Sequence, residues 1–211
     1  ELGSRSELLE LHQEAPDDAL GRPDGEGFVV DRGFGHGFAE HVADIHQRLF
    51  RPALRGEKIG AICMTEPNAG SDLGGIATQA RRVDGGYVLS GQKTWVTSAP
   101  VADFFTVFAK AGEERKLTIF LVERDFAGLK LGRAIEKMGV WALPTAELAF
   151  DDCFVPDDHR LSREEGDGEA HLRKTLAEIR IITGAMAVGL GRAALGAEPG
   201  GATIAVRALA A

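Results

Sequence analysis

This 211-residue chain has few cysteines, and its basic residues are outnumbered by acidic ones. Its two cysteines, Cys63 and Cys153, supply neither a disulfide framework nor a zinc-ligand set. Lys and Arg total 24 against 32 Asp and Glu, which gives a formal net charge of −8. Nucleic-acid binding depends on basic patches, so this charge argues against it. His36, His41 and His46 are spaced by fives and share no helix face, and we therefore expect no metal site.

Long uninterrupted apolar runs are also missing. No stretch reaches the about eighteen apolar residues that predict a membrane-spanning helix. The start, Glu1–Arg5, lacks the charged-then-apolar pattern of a signal peptide. A hydrophobic content of 44% with 27% charged residues is typical of a soluble globular protein. We expect a cytoplasmic protein with no membrane insertion.

The hydrophobic pattern changes twice along the chain. Residues 38–54 carry apolar residues at helical spacing, which predicts an amphipathic helix ending near Pro52. Residues 59 to about 156 read as β-structure without intervening helices, which favours an antiparallel barrel or sandwich. From Glu169 the pattern predicts a helix again, with a loop and a frayed end over the tail from Gly196.

The predicted strands are short and separated by turn residues. Asp84-Gly85-Gly86 predicts a hairpin turn with positive φ between the first two strands that follow the initial run. The candidate strands are Ile59–Met64, Ala77–Val83, Tyr87–Val96, Phe104–Ala109, Leu117–Val122, Leu129–Leu131, Ala146–Phe150 and Phe154–Val155.

A polar loop after the first of these strands is the best candidate for a binding element. Thr65–Asp72, with the letters Thr-Glu-Pro-Asn-Ala-Gly-Ser-Asp, combines a fixed φ at Pro67 with a free φ at Gly70. Such a loop can bring backbone N–H groups and hydroxyls close to a flat polar ligand. The alternative, on composition alone, is an ordinary surface turn.

A second candidate binding element is the strand that contains Gly91-Gln-Lys-Thr-Trp-Val-Thr97. Alternation in a strand places Trp95 and Thr97 on one face. An indole beside a hydroxyl suits a planar ring system, because the ring supplies contact area and the hydroxyl a hydrogen bond. The alternative is that Trp95 fills the core and Thr97 lies at an edge.

Together these stretches resemble the acyl-CoA dehydrogenase family of flavoproteins. The similar pieces are Met64–Asp72, Gly91–Thr97, Lys137–Val140 and Glu147–Pro156. The resemblance covers residues 47–160 and, more weakly, 180–195. It implies an α+β fold in which a central antiparallel β-barrel-like domain is flanked by N- and C-terminal helical segments.

The resemblance also implies domain limits, a cofactor and partners. Residues 1–58 would be the remnant of an N-terminal helical domain, 59–160 the central β domain, and 161–211 the start of a C-terminal helical domain. FAD would be the cofactor, and the protein a homodimer or homotetramer. The implied reaction is α,β-dehydrogenation of an acyl thioester, carried by CoA or an acyl carrier protein, with electrons passed to an electron-transfer flavoprotein.

The resemblance assigns roles residue by residue. Ser71 would contact the flavin side of the site and also the acyl thioester or its pantetheine arm, and Arg180 would lie on the substrate side. The remaining implied FAD-binding residues are Met64, Thr65, Gly70, Trp95, Val96 and Thr97.

Several positions depart from the family pattern. One branch of the family has a Glu base just before the helix arginine, where this chain has Ile179; Glu178 is turned about 100° away. The catalytic base therefore stays unknown. Val96-Thr-Ser-Ala99 replaces the usual Ile-Thr-Asn-Gly, and Trp141 stands where an arginine is expected. The chain is either a partial view of a longer protein or a shortened relative. The alternative functions are a flavin oxidase or monooxygenase of the same fold and a non-catalytic, degenerate relative.

Overall fold

The computed structural model describes residues 44–162 and 164–197 of the chain. These residues belong to two compact units, divided after Gly168. The first contains a short helical segment and all the described strands, and the second contains one described helix.

The described part of the first unit begins with a helical segment that packs against one face of the sheet. A π-helical turn, His46–Phe50, continues into helix α1, Arg51–Leu54. Ile45 and Leu49 are buried, and they form a small apolar cluster with residues of the sheet. The helix predicted over 38–54 is confirmed for its described part, whereas residues 38–43 lie outside the described residues.

Within the described part of the chain, seven strands form one mixed sheet. The order of neighbours is β1-β4-β2-β3-β7-β6, and β5 pairs with β4. The strands are β1 (Gly60–Cys63), β2 (Gln79–Val83), β3 (Gly86–Thr97), β4 (Phe104–Ala111), β5 (Lys116–Glu123), β6 (Leu129–Ala134) and β7 (Thr145–Pro156).

The predicted α+β fold with a central sheet is confirmed, but its details differ in two respects. Strands β1 and β2 both run parallel to β4, pairing with its beginning and its end respectively, whereas the other four pairings are antiparallel. The chain between β1 and β2 turns back without forming a strand, which a period-two pattern cannot reveal. The two strands predicted at 146–150 and 154–155 are one strand, β7, which continues through a register shift near Asp152.

The predicted hairpin between β2 and β3 is confirmed. Gly85 has φ 76°, and its carbonyl accepts a hydrogen bond from the Asp157 N–H at 3.1 Å. A residue with a Cβ would be strained at this φ, and this explains why the turn needs glycine.

The core lies mainly on one face of the sheet, and β4 contributes to both faces. Phe105, Val107 and Ala109 point into the main cluster, which also contains Tyr87 and Leu89. Phe104 points the opposite way and packs edge-on against Phe50, with ring centroids 5.8 Å apart. Because β4 is buried on both faces, its sequence is mostly apolar rather than alternating, with Thr106 and Lys110 as its polar residues.

The described residues of the second unit belong to helix α2, Gly168–Ala197, which confirms the helix predicted from Glu169. Its apolar side chains are largely exposed, with Ile181 at 74% and Leu190 at 70%. Residues 168–196 are long and apolar enough to cross a membrane by length and composition alone, although no single apolar run in the sequence predicts a span. The tail from residue 198 lies outside the described residues.

Candidate functional site

The predicted binding loop leaves β1 and closes on itself within four residues. The Glu66 N–H donates to the Ala69 carbonyl at 2.9 Å, and the Ala69 N–H donates to the Glu66 carbonyl at 3.1 Å. Gly70 and Ser71 follow on the exposed side of this turn. The loop is therefore closed by two backbone hydrogen bonds, and it presents Gly70 and Ser71 to the outside.

A β-bulge in β3 sets the direction of the predicted ring-binding side chains. Lys93 pairs with Leu148, but the next pair is Val96 with Ala146, so β3 holds one extra residue at this point. Trp95 lies in the bulge with φ 57°, a left-handed conformation that is strained for a bulky residue. Bulges of this kind often lie next to functional sites, where they redirect a side chain.

The bulge explains which side chains face outward. Lys93 and Val96 are buried, whereas Trp95 is 57% exposed and Thr97 is exposed. The prediction that Trp95 and Thr97 share a face is confirmed, and the alternative that Trp95 fills the core is wrong. Simple alternation would also have placed Lys93 on that face. The extra residue removes it, and no feature of the sequence alone indicates this.

Two hydrogen bonds bring the binding loop and the bulged strand together. The Thr94 N–H donates to the Thr65 carbonyl at 2.9 Å. The Lys93 ammonium donates to the Met64 carbonyl at 3.1 Å. Residues that are about thirty positions apart in the sequence thus become neighbours, with Thr65 next to the residue that precedes Trp95.

A buried ion pair lies directly beneath this junction. The Lys93 Nζ donates to Glu66 Oε1 at 2.8 Å, and the two side chains are 0% and 5% exposed. Glu66 also accepts hydrogen bonds from the Thr78 hydroxyl at 2.6 Å, the Thr78 N–H at 3.0 Å and the Ala77 N–H at 2.6 Å. The buried carboxylate of Glu66 thus accepts four hydrogen bonds, which compensate for the loss of water around its charge.

The protonation behaviour of the pair follows from these contacts. Burial acts to raise the pKa of the Glu66 carboxyl, but the hydrogen bonds from Lys93, Thr78 and Ala77 outweigh it and hold that pKa below its usual range. Burial lowers the pKa of the Lys93 ammonium, and the bond to Glu66 opposes this only in part. The sequence suggested neither residue as functional, although each lies inside one of the two candidate stretches.

A cavity opens next to the partner of Thr97. Thr97 pairs with Thr145 across β3 and β7, and Thr145 lines a cavity of about 540 Å³. Trp141, which replaces the arginine of the family pattern, also lines it and is 70% exposed. The Trp141 indole N–H donates to the Lys137 carbonyl at 2.6 Å, while the Lys137 ammonium donates to the carbonyls of Val140 and Leu143. The cavity thus carries a large aromatic wall.

The remaining predicted site residues lie elsewhere. Ile179 and Arg180 are exposed positions of α2, in the second unit, so the substrate-side role of Arg180 stays a prediction. Cys63 and Cys153 are fully buried, and burial raises the pKa of the Cys153 thiol to about 11. Within residues 44–162 and 164–197, no group of three or more His, Cys, Asp or Glu side chains could hold a metal ion.

Comparison with known proteins identifies the family to which this sheet belongs. Residues 61–153 match the model of the acyl-CoA dehydrogenase middle domain. The chain belongs to the acyl-CoA dehydrogenase family. Its match therefore covers β1 to β7, including both the binding loop and the bulged strand.

Three individual matches are informative. Benzylmalonyl-CoA dehydrogenase of Aromatoleum aromaticum is 78% identical over 153 residues, which are 72% of this chain and 41% of that protein. Butyryl-CoA dehydrogenase of Megasphaera elsdenii superposes with a TM-score of 0.68 at 36% identity, covering 72% of this chain and 41% of that one. The FAD complex of PigA superposes with a TM-score of 0.57 at 34% identity, covering 61% and 34%. The chain thus spans about two fifths of the length of the first relative.

Proposed function

We propose that this chain provides the flavin-binding wall of an FAD-dependent acyl-CoA dehydrogenase. The observation that carries the proposal is the junction of the binding loop with the bulged strand, where the Thr94 N–H bonds to the Thr65 carbonyl and Trp95 is turned outward beside it. The FAD complex of PigA, with which the chain superposes, supports the choice of cofactor.

The residues present at the junction fit a flavin. Trp95 would lie against the ring system, since its indole is exposed and the bulge fixes its backbone. The hydroxyls of Thr65 and Thr97 would hydrogen-bond to polar atoms at the ring edge. Backbone groups of Met64, Gly70 and Val96 would complete the site, and Ser71 would face both FAD and the acyl thioester.

The proposed reaction removes two hydrogens from an acyl thioester. The α hydrogen leaves as a proton to a base, and the β hydrogen leaves as hydride, so that an α,β-unsaturated thioester forms. A bound FAD would supply the hydride acceptor. The contribution of this chain is to hold the acceptor and the thioester at near-contact distance and to exclude water, which is where much of the rate enhancement of such reactions arises.

Similarity and the cavity both support one substrate class. The relative from A. aromaticum, 78% identical over the shared region, is named for an acyl-CoA that carries an aromatic ring. The cavity beside Thr145 has Trp141 as a wall, and offset packing against an indole suits an aromatic group. We therefore propose an aryl-substituted acyl-CoA as substrate, with Ser71 and Arg180 as its contacts.

Further features of the proposal rest on membership of the family. Electrons would pass to an electron-transfer flavoprotein. The protein would act in the cytoplasm as a homodimer or homotetramer, with a remnant helical domain over 1–58, the β domain over 59–160 and a C-terminal helical domain beginning at 161. The catalytic base is unassigned.

The experiment that tests the proposal is a visible absorption spectrum of the purified protein before and after anaerobic addition of acyl-CoAs. We expect a bound flavin that bleaches faster with benzylmalonyl-CoA than with butyryl-CoA. A flavin that stays oxidised with every acyl-CoA would contradict the dehydrogenase activity, and reoxidation by air without a partner flavoprotein would favour an oxidase. A protein without flavin would overturn the proposal.

Replacement of the Trp95 indole tests whether this side chain contacts the flavin. Trp95→Asn removes the indole, while asparagine tolerates the left-handed φ of this position. Because Trp95 is exposed, we expect the thermal midpoint of the flavin-free protein to change little while the affinity for FAD falls at least tenfold. Unchanged FAD affinity would show that Trp95 does not contact the ring.

A further inference from the structure

A contribution to folding stability does not by itself explain why Glu66 and Lys93 form a buried charged pair at this junction. Natural proteins seldom bury lysine and glutamate fully, because removing two charges from water is costly. Here both are buried, and both belong to the two stretches that build the junction. In other proteins, replacing a buried ion pair by apolar residues of similar volume is often neutral or even stabilising.

The contacts of the pair connect three separate segments. Lys93, in β3, donates a hydrogen bond to the carbonyl of Met64, the residue just before the binding loop. This bond fixes the point at which the loop begins. Glu66 lies in that loop and bonds to the backbone of Ala77 and Thr78, which lead into β2. The salt bridge between Lys93 and Glu66 joins β3 directly to the binding loop. An apolar pair would fill the space but would make none of these backbone contacts.

Strand β3 passes so close to Thr78 that no side chain fits between them at Gly91. A Cβ at Gly91 would lie 2.6 Å from the Thr78 hydroxyl oxygen and 2.8 Å from its Cα. Strand β3 therefore needs a glycine at 91 in order to pass the residue that donates to Glu66. The relative positions of β3, Thr78 and the binding loop are thus defined on several sides at once.

We propose that Glu66 and Lys93 are positioning residues for the flavin site, which fix the backbone of Met64 and Thr65 relative to Trp95. This inference rests on the proposed function, because it concerns the same cofactor. Its chemical content is that a charged pair holds the backbone of the loop in place before FAD binds. The site is then preorganised, and FAD loses less affinity to the ordering of the loop.

The test measures FAD affinity and stability separately, in the full chain. Flavin-free protein is titrated with FAD, its dissociation constant is obtained from flavin fluorescence, and the thermal midpoint is measured without FAD. In Lys93→Met the stem is kept and the ammonium removed. We expect its dissociation constant for FAD to rise at least tenfold, and the visible flavin spectrum to shift because the ring environment is less defined. Lys116→Met, which removes an exposed lysine paired with Glu114, is the matched control and should stay within twofold of wild type.

The double variant Glu66→Met with Lys93→Met separates positioning from stability. Replacing both charges removes the unpaired buried carboxylate, so the thermal midpoint should recover part of what the single variant loses. The part that is not recovered is the cost of the Ala77 and Thr78 N–H groups, which lose their acceptor. The carbonyl of Met64 still lacks its donor, as in the single variant, and the N–H groups of Ala77 and Thr78 now also lack their acceptor. FAD affinity should therefore remain at least tenfold weaker. Affinity that recovers together with the thermal midpoint would show a purely structural role and overturn the inference.

Two further outcomes are informative. If Lys93→Met does not fold, Thr78→Val provides the test, since it removes only one of the four donors to Glu66. A two- to fivefold rise in the FAD dissociation constant is then expected, and no rise would contradict the inference. Wild-type protein that binds no FAD would refute the proposed function itself. Wild-type binding of FAD with unchanged affinity in every variant that folds would refute only the positioning role.

Discussion

The sheet and helix α2 bury their apolar residues to very different extents. In the sheet, Phe105 and Phe120 are 1% and 0% exposed, whereas on α2 Ile181 and Leu190 are 74% and 70% exposed. The exposed apolar residues of α2 lie on opposite sides, since Ile182, Met186 and Leu190 follow one stripe while Ile181 and Val188 point away from it. A helix that is apolar on more than one side is typical of elements covered by protein or lipid. The sheet therefore completes its own core, and α2 does not.

Core truncation should show the largest difference between the two regions. Phe105→Ala empties a fully buried position of the main core and should reduce the free energy of unfolding by about 3–5 kcal/mol. Ile181→Ala removes an exposed side chain and should change it by less than about 0.5 kcal/mol. Urea denaturation, followed by circular dichroism, measures both. A loss above about 2 kcal/mol for Ile181→Ala would show that α2 is covered in the full assembly.

Glycine replacement should show a smaller difference with opposite signs. At Gly91 (φ 153°) an added Cβ would meet Thr78, so Gly91→Ala should destabilise the protein by about 2 kcal/mol. At Gly189, in α2, nothing lies within 4 Å of an added Cβ, so Gly189→Ala should stabilise the helix by about 1 kcal/mol. The same denaturation experiment gives both values. Destabilisation by Gly189→Ala would indicate a neighbour that packs closely against this side of α2.

The sequence predicted the sheet better than it predicted the site. Apolar runs and the Asp84-Gly85 turn located every described strand, because they depend on local burial and local φ. The parallel pairing of β1 and β2 with β4 could not be predicted, since it depends on how the loop between them folds back.

The candidate site shows the same limit at the level of single residues. The family resemblance located Thr65, Trp95 and Thr97, and alternation placed the last two on one face. The bulge that removes Lys93 from that face depends on the register of β7, which no short-range pattern reports. The pairing of Lys93 with Glu66, 27 residues away, likewise follows from tertiary structure. The sequence therefore did not predict that Lys93 and Glu66, among the polar residues of the two stretches, would be buried.

Among the described carboxylates whose pKa is lowered, Glu66 and Glu123 are the two that are not exposed, and they should contribute most to the response to acid. Burial acts to raise the pKa of Glu66 and of Glu123, but hydrogen bonds outweigh it, from Lys93 to Glu66 and from Arg48 and His159 to Glu123. Both folded-state pKa values therefore lie below the unfolded value of 4.5. Each carboxylate contributes stability that is fully present above pH 4.5 and is lost as the pH falls through its folded pKa. The slope of this loss is at most about 1.4 kcal/mol per pH unit for each group.

Glu66→Gln isolates the buried contribution to this acid response. The amide that replaces the carboxylate does not titrate, so the variant should be less stable than wild type at pH 7. It should lose less stability than wild type between about pH 4.5 and 2.5, as measured by urea denaturation at each pH. Glu114→Gln, at an exposed ion pair with Lys116, serves as the control. Its effect should be smaller and should vanish in about 1 M salt, because salt screens exposed charges and hardly affects buried ones.

Parallel pH profiles for Glu66→Gln and wild type would contradict this prediction. They would show that Glu66 is not held as a carboxylate in the folded protein. The salt bridge to Lys93 could then not be what holds the binding loop to β3.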